Sequence, residues 1–228
     1  SHPQSKFDMF TEMNRGKLIL INTAKSLLKE QGTEVFGRFF IALISQAAQE
    51  RATLPDWDRL PTMVYVDEAQ DYFDENIGLI LSQARKYKVG MVLAHQYLGQ
   101  LASGLEAAFE ANTSIKLAGG VSARDARALA SQMGAEADLI VRLPKGSFAT
   151  YIRGLTERAV PMSFPFFTLE SLPKTSTEER DAIREYSRSH YAEPWRNKAD
   201  HSAPPERQAV DTTEENDSHD PLAPSPEL

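Results

Sequence analysis

The sequence predicts an α/β protein built on a parallel sheet with helices on both faces. Two observations predict it. Apolar runs of strand length, starting at Lys17, Thr62, Val89 and Ser114, alternate with stretches whose apolar residues recur at helical spacing. Two of those runs end in polar pairs, Asp67-Glu68 and His95-Gln96, at the strand ends where such sheets bind their ligands.

The elements follow in order. Lys17–Asn22 (KLILIN) is a short apolar run and reads as a buried parallel strand. Thr33–Arg51 sets Val35, Phe36, Phe39, Phe40, Leu43, Ile44 and Ala47 on one helical face, with Thr33 as its N-cap. A polar loop with two prolines leads into a second strand, Thr62–Asp67. Ile77–Lys88 reads as a helix, Val89–Ala94 as the third strand, Gly104–Ala111 as a short helix and Ser114–Ala118 as the fourth strand. Gly119-Gly120 turns the chain, and Ser122 with Asp125 resembles a capping box for a helix that ends near Met133. Ser147–Arg153 and Arg158–Ser163 alternate and form a hairpin around Gly154. Thr177–His190 reads as one polar helix. From Glu193 the chain is acidic and carries six prolines, the composition of a disordered tail. The organisation is a lead-in over 1–16, a domain over 17–168, a polar helical extension over 169–192 and a tail over 193–228.

Composition narrows the function. The chain of 228 residues has room for one substantial core. No apolar run approaches the roughly 20 residues of a membrane span, so any membrane link has to come from segments outside this chain. The absence of cysteine removes thiol chemistry and fits a reducing compartment. The five histidines lack metal-ligand spacing. Of the net charge of −7, residues 174–228 hold −6 and residues 1–173 hold −1. A basic nucleic-acid footprint is therefore absent, and DNA contact requires a local patch or an assembled ring.

An apolar strand ending in Asp-Glu suits phosphoryl transfer. The first acid holds Mg²⁺ and the second polarises the water that attacks the γ-phosphate. On its own the motif fits a solvated strand end equally well. Gln96, at the end of the next strand, adds an amide able to orient that water or sense the γ-phosphate. Arg85, Arg124 and Arg127 are candidates for stabilising transferred charge. For Arg124 and Arg127 a solvated helix face pairing with Asp125 and Asp138 is the simpler reading. His95 reads as packed, and Gly119-Gly120 as a turn.

Together, KLILINTAK, MVYVDEAQDYF, RKYKVGMVLAHQ, DARALASQMG and KGSFATYIRG resemble, in that order, the FtsK–HerA superfamily of ring-forming ATPases. The likeness covers about residues 6–165 and is nearest to coupling proteins of conjugation and type IV secretion, of the TraG/TraD kind. The resemblance implies a RecA-like fold and ATP with Mg²⁺ as cofactors. It gives Asp67 to the metal, Glu68 to water activation and Gln96 to γ-phosphate sensing, with Arg124 or Arg127 as an arginine finger. It further implies a homo-hexamer that translocates DNA, with relaxosome or secretion-system proteins as partners, at the cytoplasmic face of the bacterial inner membrane. Two other readings stand beside it: a HerA-type repair helicase, and a non-catalytic docking module.

One part is missing. No G-x-x-x-x-G-K-[ST] occurs in the sequence, so there is no backbone cradle or lysine for the phosphates. In the coupling proteins a helical domain interrupts the nucleotide-binding domain after the phosphate loop. The chain is thus expected to be the second half of such a domain, lacking the phosphate-loop (Walker A) strand. The absent strand should leave a gap beside the Gln96 strand, lined by unpaired backbone and apolar side chains.

Overall fold

The computed structural model describes residues 6–73, 77–100 and 105–192. The described chain as far as Tyr191 belongs to one compact unit. The expected tail over 193–228 lies outside the described residues.

The fold is mixed α/β, but its strands form two sheets rather than one parallel sheet. Helix α1 (Met9–Asn14) starts at Asp8, whose side chain accepts the Thr11 N–H at 2.7 Å. Lys17–Asn22 is not a strand: Leu18 and Leu20 are exposed, and no ladder bond reaches the segment among the described residues. Helix α2 (Lys25–Glu50) starts well before Thr33. Thr33 does not cap it. It is fully buried inside the helix, and its hydroxyl donates to the Thr23 carbonyl at 3.0 Å. Regular geometry breaks at Lys29, with φ 62 and ψ 171.

Strands β1 (Thr62–Val66) and β2 (Val89–Leu93) pair in parallel, Thr62 opposite Val89 and Val66 opposite Leu93. Helix α3 (Ile77–Ala84) lies between them in sequence. After β2 the chain forms α4 (Leu105–Asn112) and β3 (Ile115–Ala118). β3 does not continue the parallel sheet. It pairs antiparallel with β4 (Ser147–Ile152), which pairs antiparallel with β5 (Val160–Ser163). The hairpin expected around Gly154 is present, with Gly154 at φ 78. Helix α5 (Ala123–Met133) is capped by Ser122, whose Oγ accepts the Asp125 N–H, and closes on left-handed Gly134. Helices α6 (Ala137–Val141) and α7 (Thr177–Tyr191) complete the described chain. Among the described residues no helix is long and apolar enough to cross a membrane.

Two apolar clusters serve the parallel pair. One joins Met9, Met13, Ile44 and Val89, the other Ile41, Ala69, Leu105 and Phe109. A third, around Ala118, Met133, Ile140 and Ala149, serves the antiparallel sheet. Parallel strands are normally covered on both faces, yet Met63, Tyr65 and Val92 stand exposed. One face of the β1–β2 pair is therefore bare.

A cleft of about 510 Å³ separates β2 from β3. All of β2 and residues 115–117 of β3 line it, with Leu98 and Phe109. β2 pairs only with β1, and β3 only with β4, among the described residues. The cleft thus lies between the outer strands of two separate sheets among the described residues.

Gly37 of α2 packs against the residues after β1: a Cβ there would overlap the Tyr72 ring. The Tyr72 hydroxyl in turn bonds Thr23 Oγ1 at 2.8 Å. Gly37→Ala is expected to displace the ring and cost about 1–3 kcal/mol. Urea unfolding checks it, and a variant as stable as the parent would show that the ring moves freely.

Candidate functional site

The parallel ladder carries the site past the strand ends. Ala94 N–H donates to the Val66 carbonyl at 2.9 Å, and Ala69 N–H donates to the Ala94 carbonyl at 2.8 Å. These bonds fix the residues after β1 beside those after β2. Glu68 sits between them in the left-handed region, φ 49 and ψ 48, an uncommon conformation for a residue with a Cβ. It turns the chain sharply out of the strand into a single 3-10 turn, Ala69–Asp71.

The turn aims both Glu68 oxygens at amides. Gln96 Nε2 donates to Oε1 at 2.5 Å, and Gln70 Nε2 donates to Oε2 at 2.7 Å. These bonds, Gln70 first and then Gln96, hold the Glu68 carboxyl below the usual glutamate range against the opposing effect of burial, with the Lys25 charge as the least of the causes. Asp67 is exposed, and its Oδ1 accepts the Glu68 N–H at 3.0 Å. Lys25, at the start of α2, pairs with Asp71 at 2.8 Å. Asp71 is thereby the main cause holding the Lys25 ammonium above its usual range.

The structure brings together three of the residues singled out by sequence, Asp67, Glu68 and Gln96. It adds Gln70 and Lys25, which sequence reasoning missed. A Gln two residues after an acid signals nothing until the left-handed turn at Glu68 folds it back. Arg124 and Arg127 are exposed on α5, in the layer of the antiparallel sheet. Neither shares a hydrogen bond or ion pair with the acid group among the described residues. The expected pairing with Asp138 is not made either, because Arg142 takes that carboxylate at 2.7 Å. Arg85 is exposed and lines the β2–β3 cleft. His95 is packed, stacked on Phe109 at 6.3 Å between ring centroids, with Nδ1 buried and unpartnered. Gly120 is a left-handed turn residue at φ 66.

Among the described residues no group of three or more His, Cys, Asp or Glu could hold a metal ion. Mg²⁺ shared with a polyphosphate needs only one or two carboxylates, the remaining ligands being phosphate oxygens and water. An exposed Asp67 at a strand end fits that donor set. The described residues supply no phosphate cradle. No family model matches the chain, and no curated protein does.

The low Glu68 pKa has a pH signature. The pKa is depressed in the fold, so the amide bonds contribute fully above the ordinary glutamate value of 4.5 and are lost as pH falls through the lower folded value. Acidification from neutrality is therefore expected to leave the Glu68, Gln70 and Gln96 amide resonances in place through the ordinary glutamate range and to move them only below it. Movement centred at the ordinary value would show that the amides do not hold the carboxylate.

Proposed function

We propose that this chain is the acid-and-sensor half of a RecA-like ATPase of the FtsK–HerA type, nearest to the coupling proteins of conjugation and type IV secretion. The observation that carries the reading is the Gln96 amide on the Glu68 carboxylate, at the ends of two adjacent parallel strands. In this role Glu68 takes the proton of the attacking water and Gln96 meets the γ-phosphate. Asp67 is the Mg²⁺ ligand. The β2–β3 cleft supports the reading from a second direction. A strand bearing the phosphate loop fits between these outer strands and delivers its loop to the same end of the sheet as Glu68 and Gln96. The complete enzyme is a homo-hexameric ring that couples ATP hydrolysis to DNA translocation, with relaxosome or secretion-system proteins as partners, at the cytoplasmic face of the inner membrane. The finger is Arg124 or Arg127 of a neighbouring subunit, both of them exposed and without an ion pair among the described residues.

The test compares two polypeptides. Residues 1–228 alone are expected to show no Mg-ATP hydrolysis, because most phosphate affinity comes from the loop and its lysine, while Asp67 and Glu68 repel the nucleotide. A longer polypeptide in which a phosphate-loop strand fills the cleft is expected to hydrolyse ATP. Hydrolysis by residues 1–228 alone, abolished by Glu68→Gln, would overturn the split-site assignment.

A further inference from the structure

We propose that the turn after β5, residues 164–172, is a shallow lipid-surface contact. Its exposed Phe and Leu side chains enter the interfacial layer of a bilayer, and Lys145 and Lys174 meet anionic headgroups. A contact of this kind needs no spanning segment. The inference does not rest on the ATPase reading.

Residues 164–172 read FPFFTLESL, and five of these nine are large and apolar. All five are exposed, Phe166, Phe167 and Leu169 to 67%, 76% and 77%. So dense an apolar run at the surface marks a site that meets something other than water. The split-domain reading does not account for it. β5 is the strand of its sheet farthest from the cleft, and none of residues 164–172 lines the cleft. The turn also holds its rings in place. Phe167 is left-handed, at φ 65, a conformation that a bulky residue adopts only at a cost. At the base of the turn, Phe164 N–H donates to the Gly146 carbonyl at 3.0 Å, and the Phe164 ring meets Phe148 edge-on at 5.9 Å between centroids.

Two further observations favour a bilayer over a protein partner. The first is that polar groups of the turn are bonded inward. The Thr168 hydroxyl donates to the Pro165 carbonyl at 2.6 Å and the Ser171 hydroxyl to the Thr168 carbonyl at 2.7 Å. The N–H groups of Thr168, Ser171 and Leu172 donate to the Pro165, Phe167 and Leu169 carbonyls, and Pro165 has no N–H to satisfy. Groups bonded within the turn cost little to bring toward hydrocarbon, whereas a protein interface is usually held by hydrogen bonds that cross it. The second observation is charge. Lys145 precedes Gly146, where a Cβ would touch the Phe166 ring. Lys145 and Lys174 are both exposed and have no ion pair among the described residues, and Glu170 is the only acid in the sequence of residues 164–174. Lysines beside an apolar knob keep their ammonium groups at headgroup level while their stems cover apolar surface. The net charge of −7 opposes approach to an anionic surface, but exposed charges more than about 8 Å apart are largely screened at physiological salt, so the local lysines decide the contact.

The experiment floats the full 228-residue chain on phosphatidylcholine vesicles with and without phosphatidylglycerol. The parent chain is expected to float with the phosphatidylglycerol vesicles and less with phosphatidylcholine alone. Phe167→Asn supplies a residue that tolerates the left-handed turn and removes the ring. Its fold is expected to stand while its partition onto vesicles falls about tenfold or more, the worth of one buried Phe. Lys145→Ala combined with Lys174→Ala is expected to remove the preference for phosphatidylglycerol and to leave binding to phosphatidylcholine in place. Phe166→Trp reports depth: its emission, taken as the difference from the parent with its Trp57 and Trp195, is expected to shift to the blue on vesicles. Absence of flotation of the parent with either vesicle, or undiminished flotation of Phe167→Asn, would overturn the proposal. Flotation with an unshifted Phe166→Trp emission would show attachment through charge alone and sink the insertion. Sedimentation of the lipid-free chain as a dimer that Phe167→Asn dissociates would assign the turn to a second copy instead. None of these outcomes depends on nucleotide hydrolysis.

Discussion

Glu68→Gln is expected, on the proposed function, to cut turnover of the proposed complete ATPase by about 10²–10⁴-fold, the usual contribution of a positioned general base. Nucleotide affinity is expected to hold or improve, because a negative charge facing the phosphates is removed. The isosteric amide keeps the left-handed turn and a hydrogen bond to at least one of Gln70 and Gln96. The loss is therefore one of proton acceptance rather than of architecture. Asp67→Asn should behave differently. It removes the charge assigned to Mg²⁺, so the activity lost should be partly recovered at high Mg²⁺ concentration. Steady-state hydrolysis against Mg²⁺ concentration, with nucleotide binding measured separately, distinguishes the two variants. Unchanged turnover in Glu68→Gln would remove Glu68 from the chemistry and leave it as a turn residue.

The site was more legible in the sequence than the fold around it. Asp67, Glu68 and Gln96 could be expected to meet because two strand exits of matching type set their positions, and parallel pairing then had to bring the exits together. Gln70 was hidden because its role depends on the positive φ at Glu68, which no spacing rule announces. Lys25 was hidden because α2 begins earlier than Thr33 suggested. A threonine before an apolar stripe looks like a cap, and only its burial against Thr23 shows it as an interior anchor. The direction of β3 was also beyond reach. Four residues of mixed exposure carry no sign of parallel or antiparallel partnership, and the pairing was decided by the later hairpin. Lys17–Asn22 has a strand's composition but lacks a strand's neighbour, and strand formation requires one. The open cleft and the bare β1–β2 face have one cause in the proposed architecture: each is a surface that a further strand and helix would cover.

The largest effect on stability is expected at Arg51, far from the acids. This arginine ends α2 and is fully buried. Its Nη1 donates to the Tyr87 carbonyl at 3.0 Å and its Nη2 to Thr62 Oγ1 at 2.8 Å. One guanidinium thus ties the helix to the entrance of β1 and to the turn before β2. The Arg51 carbonyl in turn accepts the Arg59 Nε–H at 2.9 Å. No carboxylate lies within ion-pair distance among the described residues, and Nε has no partner. Burial, and secondarily the Arg59 charge, pull the Arg51 pKa below its usual range. Two opposed terms follow. The hydrogen bonds and the packed stem hold three elements together, while the unpaired buried charge is a liability. Arg51→Ala loses the bonds and the stem and leaves a cavity, at an expected cost of about 2–4 kcal/mol. Arg51→Met fills much of the same volume and removes the charge, so its cost is expected to stay below about 1 kcal/mol. Arg51→Lys keeps a charge but loses the fork that reaches both acceptors at once, and should fall between them. Urea unfolding of the three variants reads out the order. If alanine and methionine prove equally costly, the bonds rather than the packing join α2 to the sheet; if alanine costs nothing, the bolt is not structural.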